Sequence, residues 1–92
     1  MRAESRPRRV DLTAQELAGE TLVYLPDGGV CTLNLAAREV WELCDGTRTQ
    51  QQIADDFAAL HPDEDRASLR RDAIAAVFHL QHGGLLEVPG LE

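Results

Sequence analysis

The apolar and polar positions fall into short, well-punctuated segments. Thr21-Leu-Val-Tyr-Leu25 is rich in β-formers and stops at Pro26-Asp27-Gly28-Gly29, a run of turn residues. Val30-Cys-Thr-Leu33 follows, and the pair predicts a β-hairpin over 21–33. Strand alternation puts Val30 and Thr32 on one face, Cys31 and Leu33 on the other. Asn34 can accept from the free N–H groups of a first helical turn. The helix it opens, to about Cys44, is apolar at Leu35, Ala36, Val40, Trp41, Leu43 and Cys44, and polar at Arg38, Glu39 and Glu42. Asp45-Gly46 ends it.

Thr49 and Gln52 have the spacing of a capping box. Ile53, Ala54, Phe57, Ala58 and Leu60 then give the 3.6-residue stripe of a second helix. His61-Pro62-Asp63 breaks it. Asp63 or Asp65 caps a third helix to about Gln81, with a core stripe of Leu69, Ala73, Val77 and Leu80. Ile74 and Phe78 lie next to that stripe, and Arg70 and Arg71 on its flank. Gly83-Gly84 stops the helix, and Leu85 to Val88 reads as a short strand or extended tail. Upstream, Val10 to Leu12 suggests a short strand, whereas Ala14 to Ala18 has a helical composition cut short at Gly19-Glu20. The expected architecture is α+β: a winged helix-turn-helix, with a small N-terminal antiparallel sheet, three helices and a short C-terminal strand or tail. Residues 1–9 read as a disordered basic tail, and 10–88 as a single domain.

A chain of 92 residues forms one small domain with little room for a deep catalytic cavity. Charge narrows its partners. The net charge is −7, and all 9 basic residues are Arg. Arg2, Arg6, Arg8 and Arg9 crowd the N-terminus, whereas the remainder is strongly acidic. An acidic body repels the phosphate backbone that supplies most of the affinity in DNA binding. There is no 18-residue apolar run to span a membrane. The N-terminus lacks the apolar core of a secretory signal, so a cytoplasmic location is expected. The 2 cysteines, Cys31 and Cys44, are then expected as reduced thiols.

Nothing in the sequence assembles an active site. His79 and His82 are at i, i+3, but neither cysteine converges on them, so no metal site is expected and the pair reads as surface histidines favoured by the helix dipole. Cys44 at a helix C-terminus is a poor nucleophile. Asp55 and Asp56 diverge by about 100° on a helix and do not pair for acid–base work. No Gly-rich phosphate loop follows a strand, and no cofactor is expected.

The series Gly19-Glu20-Thr-Leu-Val-Tyr, Leu33-Asn34, Val40-Trp41-Glu-Leu-Cys-Asp-Gly46-Thr-Arg48-Thr49, Ile53-Ala54, Leu80 and Gly84-Leu85-Leu86 resembles the PqqD family over roughly Val10 to Val88. PqqD-like domains are RiPP recognition elements. The resemblance implies a non-catalytic chaperone that binds the leader of a ribosomally made precursor peptide. It presents that peptide to a modifying enzyme, often a radical SAM enzyme, in pyrroloquinoline quinone or other RiPP biosynthesis. It also implies that the leader adds as a strand beside Val30 to Leu33, in the cleft between that strand and the third helix.

Strand addition suits an edge whose N–H and C=O groups are unpaired. The candidate peptide-binding residues are Val30, Cys31, Thr32 and Leu33 on the strand, and Arg70, Arg71, Ile74 and Phe78 on the helix. Periodicity does not choose between Cys31 with Leu33 and Val30 with Thr32 as the pair facing the guest. The two Arg are candidates for pairing with leader carboxylates or, equally, a solvated helix face. Phe78 is a pocket candidate or ordinary core. Asn34, Trp41, Asp45 and Gly46 read as architectural. Two other functions fit the outline: a winged-helix DNA-binding regulator, disfavoured by the acidic body, and an adaptor that homodimerises through its edge strand.

Overall fold

The computed structural model describes residues 5–87. Its elements are β1 (Arg8–Arg9), β2 (Thr13–Leu17), β3 (Glu20–Tyr24), β4 (Val30–Leu33), α1 (Leu35–Leu43), α2 (Gln50–Ala59), α3 (Arg66–His82) and β5 (Leu86–Glu87). The α+β order of N-terminal antiparallel sheet and then three helices is the expected one. The sheet has three strands in the order β2-β3-β4, so β4 is an edge. A second ribbon pairs β1 with β5.

Three segments differ from the sequence reading. Residues 10–12, expected as a short strand, form the link from β1 to β2, with the Val10 N–H donating to the Leu85 carbonyl (3.0 Å). Thr13–Leu17 is a strand although Ala, Gln, Glu and Leu favour helix, and all five of its residues are exposed. Its conformation is set by pairing with β3 through a two-residue turn at Ala18-Gly19, where φ is 54° and 82°. Two positive φ angles make the type I′ turn whose twist matches a hairpin. Ala at such a position is uncommon, which hides the turn in the sequence.

The basic N-terminal segment is ordered through Arg9, not loose. Pro7 is buried, and the Gly46 N–H donates to the Pro7 carbonyl (3.0 Å). The Arg9 N–H donates to the Cys44 carbonyl (2.8 Å), and the Arg9 guanidinium donates to the Trp41 and Glu42 carbonyls at the end of α1. Arg8 pairs with Glu87 across the ribbon. A cation at a helix C-terminus satisfies both orphan carbonyls and the dipole. The remainder of the predicted tail, residues 1–4, lies outside the described residues, as does Val88 of the last strand.

The predicted helix starts are all present. The Asn34 side chain accepts from the Ala37 N–H at 2.8 Å. Thr49 and Gln52 form the reciprocal capping box. Asp65, rather than Asp63, caps α3 by accepting from Ser68, and those hydrogen bonds hold its carboxyl below the usual range. Asp45-Gly46 does more than stop α1. The Asp45 carboxylate accepts from the Thr47 N–H (3.0 Å) and hydroxyl (2.6 Å) and pairs with Arg48 (2.7 Å). Arg48 continues to Asp56 on α2 (2.8 Å). Gly46 has φ 85°, and an added Cβ would meet the Arg8 side chain at 3.4 Å.

The core sits between the inner face of the sheet and the helices. It joins Val23 and Leu33 to Val40, Trp41, Ile53, Phe57 and the Leu69–Ala73–Val77–Leu80 stripe. Trp41 is the anchor expected, and its indole N–H donates to the Leu85 carbonyl (3.1 Å). That bond ties α1 to the segment entering β5. Cys44 is fully buried. Burial pushes its thiol up to about 12, against a lowering by Arg9, so it stays protonated and unreactive at neutral pH.

Candidate functional site

The backbone of β4 decides what its edge can do. The Leu25 N–H donates to the Gly29 carbonyl (2.8 Å), which makes that pair a hydrogen-bonded one. Hydrogen-bonded and non-hydrogen-bonded pairs alternate along an antiparallel ladder. Val23–Cys31 and Thr21–Leu33 therefore exchange bonds, and Leu22–Thr32 and Tyr24–Val30 do not. The I′ turn at Ala18-Gly19 fixes the same parity from the other side, since Leu17–Glu20 closes that hairpin. The N–H and C=O of Cys31 and Leu33 are thus used within the sheet. Those of Val30 and Thr32 point out of the open edge.

Side chains divide the other way. Leu33 is buried and Cys31 half-buried on the helix-facing side, while Val30 and Thr32 are exposed on the outer face. The two alternatives left open by periodicity are therefore both used, for different groups. Val30 and Thr32 offer backbone, and Cys31 and Leu33 offer side chains.

Beside this edge lies a cleft of about 500 Å³. Its strand wall is Cys31 to Asn34. Ala36, Ala37 and Val40 of α1 line it too, with Phe57 of α2. Its far wall is α3, through Asp72, Ala75, Ala76, His79 and Leu80. Asp72, Ala75, Ala76 and His79 are spaced i, i+3, i+4, i+7, so they form one face of the helix. Two alanines in that wall leave the space open.

The four helix residues singled out from the sequence are not in this wall. Successive residues turn by about 100°, which puts Arg70 and Ile74 on the far side of α3 from Asp72, and Arg71 and Phe78 on its outer face, about 100° and 120° from Asp72. Their contacts agree. Arg70 pairs with Asp55 and donates to Gln51 on α2, and Arg66 donates to the same Asp55 at 3.1 Å. Arg71 donates to the Ser68 hydroxyl (3.3 Å). Ile74 is half-buried against the core. Phe78 is neither core nor cleft: it is 53% exposed and stacks on His82 at 4.6 Å between ring centroids.

Asp72, Ala75, Ala76 and His79 are thus cleft-lining residues that the sequence reading did not place beside β4. Their common helical face was readable, but the core stripe of α3 has two flanks. Nothing local says which one meets β4.

No candidate metal cluster occurs among the described residues, and no described helix is long and apolar enough to cross a membrane. The family model for coenzyme PQQ synthesis protein D (PqqD) matches residues 10–86. The chain belongs to the PqqD family. The match runs from the residue after β1 to the first residue of β5, and so takes in the whole sheet, all three helices and the cleft. No curated protein matches the chain. The solved structure of TbiB1 in complex with the TbiA(beta) leader peptide superposes with a TM-score of 0.68 at 22% identity, covering 87% of this chain and 94% of that one. At that identity the likeness establishes a shared fold.

Within this PqqD-family chain the motif residues do structural work. The run from Cys44 to Thr49 joins α1, α2 and the N-terminal segment through the contacts of Asp45, Gly46 and Arg48. None of Trp41, Asp45, Gly46 or Arg48 lines the cleft.

Proposed function

We propose that this chain is a non-catalytic peptide chaperone. It captures the leader of a ribosomally made precursor peptide as an added strand on β4 and presents the peptide to a modifying enzyme. The observation that carries this reading is the coincidence of an outward-facing backbone at Val30 and Thr32 with an apolar cleft under the same strand. A guest strand pairs with those two residues and sends alternate side chains into the cleft, over Cys31, Leu33 and the α3 wall. Membership of the PqqD family and a fold shared with a leader-bound protein support it. A radical SAM enzyme is the partner class that the family suggests for the presented complex.

The site residues proposed on the strand are Val30, Cys31, Thr32 and Leu33. On the helix they are Asp72, Ala75, Ala76 and His79, in place of Arg70, Arg71, Ile74 and Phe78. The DNA-binding alternative loses two of the three Arg of its reading helix in this arrangement. Arg66 and Arg70 are both committed to Asp55 of α2 and are not free for phosphates.

The test is titration of an isotope-labelled chain with the precursor peptide encoded beside it. Amide shifts are expected at Val30–Leu33 and at Asp72–His79, with Arg66–Arg71 little changed. Absence of binding at high micromolar peptide, or shifts that avoid β4, rejects strand capture of that precursor.

A further inference from the structure

We infer that the cleft selects a basic, not an acidic, guest: a strand with an aliphatic side chain over Ala75 and Ala76 and an Arg or Lys two positions away, facing Asp72. The inference rests on the strand-capture reading and adds the chemistry of the ligand.

Three observations carry it. Among the described residues Asp72 is the cleft's one fixed charge: the other lining residues are apolar, uncharged polar or His79. Among the described residues no ion pair or hydrogen bond engages the Asp72 carboxylate, in contrast to Asp45, Asp55, Asp56 and Asp65 on other surfaces. No described Arg lines the cleft either. Arg8, Arg9, Arg38, Arg48, Arg66 and Arg70 are all occupied elsewhere by carboxylates or helix-end carbonyls. In a chain of net charge −7, a leader carboxylate in this cleft meets repulsion and no Arg in the described lining, Arg71 included.

Geometry sets the spacing. Inward-facing residues of an added strand, at i and i+2, are about 6.8 Å apart. The four residues from Asp72 to Ala76 rise about 6 Å along α3. One inward side chain over the alanine pair therefore places the next beside Asp72. A long cationic side chain can lay its methylenes along the apolar wall and keep its charge at the exposed carboxylate.

The experiment is selection of a random dodecapeptide display library on the immobilised full chain, run in parallel on wild-type, Asp72→Lys and Thr32→Pro proteins. Peptides enriched on wild-type but not on Thr32→Pro should carry Arg or Lys two positions from an aliphatic residue. On Asp72→Lys, enrichment should move to Asp or Glu at that position. For a synthetic peptide from the wild-type pool, changing its basic residue to Gln should weaken binding about two- to fivefold, as for an exposed ion pair, and less at high salt. Asp72→Lys should weaken it by about tenfold. Thr32→Pro-sensitive peptides without a charge preference, or with one unmoved by Asp72→Lys, overturn this inference and leave strand capture standing. A pool with no Thr32→Pro-sensitive peptides, from proteins of unchanged circular dichroism, overturns both.

Discussion

Among the described residues the sheet has two open edges, and they differ in what lies beside them. β2 and β4 flank the same central strand, β3. By ladder parity Ala14 and Glu16 turn their backbone groups outward on one edge, Val30 and Thr32 on the other. Beside β2 the space is a polar groove of about 260 Å³, crossed by the ion pair between Glu16 and Arg38. Arg38 is also held by Glu42 (3.0 Å). Beside β4 the cleft is about twice as large, mostly apolar, and not bridged by an ion pair among the described residues. Unpaired backbone is therefore not what makes a binding site here. Both edges have it, but only one places it over a surface that can take side chains.

The largest expected effect breaks that contrast directly. Thr32→Pro removes an outward amide and should weaken a labelled precursor peptide by about 10- to 100-fold in fluorescence anisotropy. Ala14→Pro, the matching change on the β2 edge, should leave binding within about twofold. Leu33→Pro is the wrong probe of the edge: the Leu33 amide belongs to the β3 ladder, so that change acts on folding.

The next effect separates the two flanks of α3. Ala76→Phe fills the cleft and should weaken the same peptide by about tenfold through steric conflict, with little change in melting temperature. Arg70→Ala on the other flank, and Phe78→Ala on the outer face, should leave binding within about twofold. Arg70→Ala should cost about 1 kcal/mol of stability or less, as exposed ion pairs do.

The two cysteines give a milder chemical version of the comparison. At pH 8 a thiol raised to about 12 is ionised to about one part in ten thousand, and Cys44 is also buried. Iodoacetamide should therefore label Cys31 alone in the native chain, and bound peptide should slow that labelling. Cys31 carbamidomethylation should weaken peptide binding several-fold. Rapid labelling of Cys44 in the folded chain would contradict its burial in the core.

The smallest effect tests the scaffold away from both edges. Hydrogen bonds from Thr47, assisted by Arg48, hold the Asp45 carboxyl below its ordinary value. A carboxyl lowered in the folded state stabilises it above the unfolded value of about 3.9, and that contribution disappears as pH falls through the folded value. Asp45→Asn should accordingly be less stable than wild-type at pH 6 by about 1 kcal/mol or less. The two urea curves should converge as the pH is lowered below that unfolded value, and peptide binding at pH 7 should be unchanged.

Much of the fold was legible because local chemistry and tertiary structure agree at the segment ends. Asn34, Thr49 with Gln52, and Pro26 to Gly29 each specify a cap or turn from side-chain groups within a few residues. Thr13–Leu17 was not legible, because its composition favours helix and its strand state depends on a partner reached through an unusual Ala18-Gly19 turn. The order through Arg9 was missed for a related reason. Its partners are the carbonyls that end α1, more than thirty residues away in sequence.

The sequence by itself determined the family, the α+β order and the strand that forms the candidate edge. Those follow from spacing, turn chemistry and a motif recognisable in the order of its residues. Tertiary structure alone decided which groups of β4 face outward, because ladder parity depends on the two turns that bracket β3. It also decided which flank of α3 meets that strand. The Leu69–Ala73–Val77–Leu80 stripe orients the helix toward the core, but whether Arg70 or Asp72 then borders the sheet depends on the side where α2 packs. With Arg66 and Arg70 bound to Asp55 of α2, the opposite flank is left to the cleft.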